Sequence, residues 1–397
     1  MTPRPGHALL AMLAVQVLAS MTLTSASVLA PVVAPSLGLA PERIGWFVGL
    51  AYLLAMLSGL RCGVWVARLG GVRVSQLALL ICAAGLLLAC WVPPAGLMLA
   101  ALLIGVGYGL ANPAAAEVLA QHAPRGAPGL FFSIKQAGVP LGVALCGLLM
   151  PLGLSLLGWR WTVALTALAA LLAALVLQHS QRALQAPQAA RKVVAVSWLT
   201  PLRQVWAARE LRLLSLVSCS FALTQQVFIT YVVALLHLQG GLSLAAAAGI
   251  LSASQGVSIL ARVGLGHAAD RWMAPNRLLG LLGMGMAASV VLLAWSGSAG
   301  LWGAALLAAM ACGATAMGWN GVFYAALIHT VPRESLAALT GATQFFTFLG
   351  GMLGPFAFGQ LVHAGASHAS VYTALALAPA LVGALVWRVA QRTAQVR

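Results

Sequence analysis

Two cations fall inside long apolar runs, and their types set the first chemical question. Lys135 lies about six residues into one run, roughly 9 Å deep at 1.5 Å per residue, and Arg262 lies eight residues before Asp270, roughly 12 Å deep. A charge held at such depth in a bilayer costs on the order of 2.5–3.5 kcal/mol and rarely faces lipid. No acid of comparable depth is at hand, since the chain carries only Glu42, Glu117, Glu210, Asp270 and Glu334. Two unpaired buried cations are costly unless an anion joins them. The ligand that follows is a small anion, most simply a carboxylate, with Arg262 as its bidentate partner and Lys135 as the second cation. The bland alternative is that each side chain snorkels to the membrane surface.

Around these cations stand polar groups suited to lining a cavity. They are Gln16, Tyr108 and Asn112 in the first half of the chain, and Gln225, Gln226, Tyr231, Trp319, Asn320 and Tyr324 in the second. Asn112-Pro113 and Asn320-Gly321 each set a helix-weakening residue after an Asn, and such breaks expose backbone groups to a cavity. Helix–helix hydrogen bonding is the competing use for every one of these side chains. Glu117, five residues after Asn112, is the candidate for carrying a coupling proton. The eight histidines show no metal-ligand spacing, so neither a metal nor any other cofactor is expected.

The elements that must position these residues follow from composition. Of 397 residues 62% are hydrophobic and 7% charged, with a mean hydropathy of +0.98. A soluble domain carries about 25% charge, so this chain cannot cover a water-facing surface. Twelve apolar runs of spanning length are read at 9–33, 44–66, 74–92, 97–120, 129–153, 160–178, 210–237, 244–266, 277–296, 300–328, 336–362 and 369–389. The net charge of +16 sits in the gaps between them. With the N-terminus inside, seventeen basic residues are cytoplasmic and two, Arg43 and Arg160, are external. Nucleic acid is thereby excluded as the reason for the charge. Six cysteines lie in apolar segments without CxxC spacing and read as small buried hydrophobes.

The long polar gap at 179–208 splits the chain into a six-helix bundle at 1–178, a cytoplasmic linker, and a second six-helix bundle at 209–397. An internal repeat agrees with the split: residues 41–68 align on 244–271 at an offset of 203, setting Gly63 on Gly266 and Arg68 on Arg271. A second match, at an offset of 208, sets 105–112 (GVGYGLAN) on 313–320 (GATAMGWN) and Asn112 on Asn320. Parallel halves with ligand contacts at their interface form a transporter plan.

The loop after span 8, Gly266-His267-Ala268-Ala269-Asp270-Arg271, and its counterpart Gly63 to Gly70 with Arg68 and Arg73, resemble the G-x-x-x-D-R-x-G-x-[RK] motif of the major facilitator superfamily. The first copy has Ala67 at the acidic position. Span 4 keeps Gly105, Gly107 and Gly109 without the preceding Arg of proton-coupled members, and spans 5 and 11 resemble the Gly-Pro motif of exporters. The resemblance implies an all-α membrane protein of twelve transmembrane helices in two pseudo-symmetric bundles, with spans 1, 4, 7 and 10 lining the cavity. It implies a secondary transporter, not an enzyme. It also implies a conformational gate built from Asp270, Arg271, Gly266, Gly63, Arg68 and Arg73, in which the Asp270 carboxylate meets the N-terminus of a facing helix.

The expected partners are a small anionic solute, the lipid bilayer and a coupling proton, with the chain acting as a monomer in a bacterial-type inner membrane. The runner-up function is proton-coupled export of drugs or other amphipathic compounds. A protein ATPase motor is not expected, because no G-x-x-x-x-G-K-[ST] loop occurs. With both termini cytoplasmic, a cysteine introduced at Gln185 should react with a membrane-impermeant thiol reagent only in inside-out vesicles. Labelling in intact cells would reverse the topology.

Overall fold

Lipid offers backbone N–H and C=O groups no partners, so a chain this apolar must satisfy them within each span. The computed structural model, which describes residues 5–92, 96–122, 131, 134–184, 199–330 and 336–395, meets that demand with helices. Among the described residues twelve helices are long and apolar enough to cross a membrane. They are α1 (Pro5–Ser36), α2 (Pro41–Leu69), α3 (Gly71–Trp91), α4 (Gly96–His122), α5 (Ile134–Leu157) and α6 (Trp159–Gln181), followed by α7 (Arg209–Gln239), α8 (Leu244–Ala269), α9 (Pro275–Ser298), α10 (Trp302–Leu327), α11 (Ala342–His363) and α12 (His368–Arg392). A short helix, Leu199–Ala207, precedes α7.

Two compact units result. The first comprises Met1–Leu29 and Leu50–Ser197, the second Ala30–Gly49 and Trp198–Arg397. The end of α1 and the start of α2 therefore pack with the C-terminal helices.

In the first unit glycines let backbones touch. A Cβ on Gly105 would collide with the Ala51 carbonyl, and one on Gly109 with the Ala55 carbonyl, so α4 lies directly on α2. On the other side of α4 a Cβ on Gly107 would stand 2.6 Å from the Ala78 carbonyl of α3. The three glycines of α4 are thus the means by which one helix is pressed between two. Gly142 does the same for α5 against the Val17 carbonyl of α1, while Gly138 packs on the Gln16 and Leu13 side chains and Cys146 Sγ donates to the Met21 carbonyl at 3.3 Å.

The second unit repeats the device. A Cβ on Gly313 of α10 would collide with the Ser254 carbonyl of α8, and these two residues stand at the same offsets, 208 and 203, from Gly105 and Ala51 as the sequence repeat does. Gly350 and Gly354 seat α11 on Cys219 and Leu223 of α7. Phe221, Trp319, Val322 and Met286 sit in the buried apolar core of this unit.

The Asn-flanked breaks come out differently in the two halves. Helix α4 runs unbroken through Asn112-Pro113, whereas α10 divides into Trp302–Thr315 and Trp319–Thr330, with the turn at 316–318. The break thus falls ahead of Asn320-Gly321. At Gly318 the turn runs against α8, where a Cβ would lie 2.9 Å from Leu265 Cδ1. A proline removes one helical hydrogen bond, a loss that transmembrane helices tolerate, and α4 continues through it.

Residues 30–49 are held on the second unit by one side chain above all. The Tyr231 hydroxyl lies 3.0 Å from the Glu42 carbonyl and 3.0 Å from the Pro355 carbonyl, so its single hydrogen serves two acceptors. It fits because Gly45 and Gly359 flank it, and a Cβ on Gly359 would lie 2.6 Å from the hydroxyl oxygen. Nearby, Trp46 Nε1 donates to Gln360 Oε1 at 2.8 Å and its ring meets Phe356 edge-on at 4.7 Å.

Two stability measurements test this packing. Gly105→Val and Gly313→Val should each abolish monodisperse protein on size-exclusion chromatography, because the added methyls meet backbone. Gly63→Ala and Gly266→Ala, where a Cβ meets open space, should leave the yield unchanged. Tyr231→Phe should lower stability by about 1–3 kcal/mol, the cost of a buried unsatisfied acceptor, read as a drop of several degrees in the thermal midpoint. An unchanged midpoint would show that the hydroxyl contributes nothing.

Candidate functional site

In the first unit Lys135 lies in the helical turn leading into Gly138–Leu157, the main run of α5. The start expected at 129 lies outside the described residues, and the described part of the span runs from Ile134 to Leu157. Its side chain is 1% exposed. Nζ donates to Asn112 Oδ1 of α4 and to Gln136 Oε1 at 3.1 Å. Both acceptors are neutral amides. The cation also stands at the N-terminal end of its helix, where the backbone dipole is itself positive.

Facing this region from α1 is Gln16, whose Cβ and Cγ would stand 3.0 and 3.1 Å from a Cβ built on Gly138. Gln16 and Ser20 are each 2% exposed, and Gln16 Oε1 and Ser20 Oγ have no hydrogen-bond partner among the described residues. Tyr108, one turn before Asn112, is half-buried and meets Tyr52 edge-on at 5.9 Å. Glu117 accepts from Gln121 Nε2 at 3.1 Å, one turn further along α4.

The candidates of the second unit gather at the broken α10. Arg262 of α8 is half-buried, and its Nε donates at 3.0 Å to the carbonyl of Met317, inside the turn that divides α10. It thus supplies a donor where the helix break removes one. Trp319, buried between Phe221 and Phe323 with edge-on contacts of 5.7 and 5.6 Å, donates from Nε1 to Gln225 Oε1 at 2.9 Å. The Tyr324 hydroxyl donates to Gln344 Oε1 at 3.2 Å. Asn320 Nδ2 is buried with no partner among the described residues, and Gln226 is buried on α7. Tyr231 is engaged with backbone carbonyls, apart from this group.

The gate residues are mostly at the surface of their units. Gly63, Arg68, Arg73 and Arg271 are exposed, and Gly266 is half-buried with open space beside it. The Asp270 side chain lies outside the described residues. No group of three or more metal-ligating side chains occurs among the described residues.

Reasoning from the sequence passed over Gln136, Gln344 and the helix-8 pair Gln255 and Ser258, the last two fully buried with Oε1 and Oγ unpartnered. The signal for Gln136 was its place beside Lys135. Gln344 carried none, since its role depends on where Tyr324 points.

Comparison with known proteins bears on the whole chain. The family model described as Major Facilitator Superfamily matches residues 12–355. Among solved structures, a bacterial homologue of the human lysosomal transporter Spinster, inward-facing and unoccupied, superposes with a TM-score of 0.78 at 17% identity, covering 99% of this chain and 98% of its own. The same protein in an inward-facing, occupied conformation gives 0.76 at 17% identity over the same shares. A mutant of the nucleoside transporter NupG gives 0.77 at 14% identity, covering 96% and 98%. No curated protein is matched in sequence. The architecture is that of these transporters, and the family match runs from within α1 to within α11. The chain belongs to the Major Facilitator Superfamily and is a multi-pass membrane transporter rather than an enzyme.

Proposed function

We propose that the protein moves a small organic anion, most simply a carboxylate, across a bacterial-type inner membrane by alternating access. One observation carries this reading: Lys135 is fully buried, and its hydrogen bonds among the described residues go to two neutral amide oxygens. A buried charge that lacks a counter-charge is stabilised by whatever anion binds beside it. Lys135 and Arg262, one from each half of the chain, are its proposed charged ligands. Asn112, Asn320, Tyr108, Gln16, Gln225, Gln226, Trp319, Tyr324 and Tyr231 are the polar residues we assign to the substrate path.

We read residues 1–178 and 209–397 as the two moving bundles, joined by a cytoplasmic linker at 179–208, in a chain that works as a monomer. Asp270, Arg271, Gly266, Gly63, Arg68 and Arg73 form the proposed cytoplasmic gate. Glu117 is the proposed carrier of a coupling proton. Proton-coupled export of amphipathic compounds gains less support, because a cationic drug asks for a carboxylate where this chain has a lysine.

Purified wild type, Lys135→Gln, Arg262→Gln and Arg262→Lys should be titrated with a panel of propionate, succinate and benzoate, following thermal stabilisation. Loss of one charge-assisted bond costs roughly 1.5–3 kcal/mol, or about 10- to 150-fold in affinity. Arg262→Lys should be nearly as damaging, since an ammonium cannot reproduce the planar fork. Well-folded variants with unchanged affinity, or a wild type stabilised only by cations, would overturn the anion reading.

A further inference from the structure

Near the buried lysine, α1 presents an amide oxygen and a hydroxyl, both able to accept, that have no hydrogen-bond partner among the described residues. Gln16 Oε1 and Ser20 Oγ are one helical turn apart, both on side chains 2% exposed, and neither has a hydrogen-bond partner among the described residues. A buried acceptor left without a donor costs about 1–3 kcal/mol. Two on one face of one helix mark a place where a donor is missing.

Their position ties them to Lys135. Gln16 packs on Gly138, and a Cβ on Gly142 would lie 2.8 Å from Ser20 Cβ. Lys135, Gly138 and Gly142 follow at three- and four-residue spacing, so they share one face of α5. Gly138 is one turn, about 5 Å, beyond Lys135. Gln16 and Ser20 thus line the seam between α1 and α5 from about one turn beyond Lys135, whose own side chain bonds Asn112 of α4.

We infer that the carried anion is a hydroxycarboxylate, its carboxylate held by Lys135 and its hydroxyl donating to Gln16 or Ser20. This rests on the anion reading above and sharpens it. A hydroxyl fits better than an ammonium group, because the vacant acceptors are a neutral amide and a neutral hydroxyl. An ammonium placed there would add a second buried positive charge next to Lys135, with no carboxylate hydrogen-bonded to either. A site built to bond a substrate hydroxyl discriminates against the analogue lacking it, because its own acceptor is then left unpaired.

The test uses the full-length purified protein and matched pairs: lactate with propionate, malate with succinate, and alanine as the ammonium counterpart of lactate. The hydroxy acid of each pair should bind about 5- to 10-fold more tightly than its deoxy partner, and alanine more weakly than lactate. Gln16→Leu or Ser20→Ala, whichever removes the acceptor in use, should erase that ratio and lower lactate to the affinity of propionate; a ratio kept in both variants would overturn the inference. Equal affinities within each pair, with binding still lost in Lys135→Gln, would overturn the hydroxyl inference and leave the anion reading standing. Alanine binding more tightly than lactate would overturn it in favour of a zwitterion. If none of the five ligands stabilises the protein, both readings fail together.

Discussion

Close backbone contact between helices is the constraint on which everything else rests. Lipid is as apolar as leucine, so spans gain little from hiding side chains and must instead be held by packing and by bonds between them. Here that contact is made by glycine: Gly105 and Gly109 on α2, Gly142 on α1, Gly313 on α8, Gly350 and Gly354 on α7. Glycines also locate the chemistry. Gly138 brings Gln16 against α5 near Lys135, and Gly313 fixes α10 on Ser254 just before the helix divides.

Much of this was legible in the residues because a bilayer permits so few solutions. Twelve apolar runs become twelve helices, and the repeat that pairs 41–68 with 244–271 reappears as matching helix crossings at Ala51–Gly105 and Ser254–Gly313. The finer placements were not legible, and each failure has a tertiary cause. Pro113 leaves α4 continuous, while α10 breaks at a glycine pressed on α8. The Tyr231 hydroxyl reaches two carbonyls distant in sequence, a contact its place on α7 does not announce. The bond from Arg262 Nε to the Met317 carbonyl is equally invisible in the sequence, because it depends on where α10 turns. Periodicity marks a helix face but does not say which neighbour reaches it first.

The electrostatics are economical in acids rather than rich in bases. At Lys135, the fully buried cation, the partners among the described residues are neutral amide oxygens. Dipoles of this kind hold a cation in place without neutralising it. A carboxylate partner would have satisfied the charge permanently and left nothing for a transient ligand to do. Acids are scarce in the sequence, five against 21 basic residues.

The docking of residues 30–49 on the C-terminal helices has a consequence for biosynthesis. Trp46 and its partner Gln360 are separated by 314 positions. At roughly 5–20 residues per second, ribosomal synthesis leaves Trp46 about 15–60 s without that partner. During this interval the glycine-bearing surface of Gly45 and Gly49 lacks its partner while nine further spanning helices, α3 to α11, are made. Final stability is therefore gained late, and a chain truncated before Pro355 lacks the seat for its own second helix.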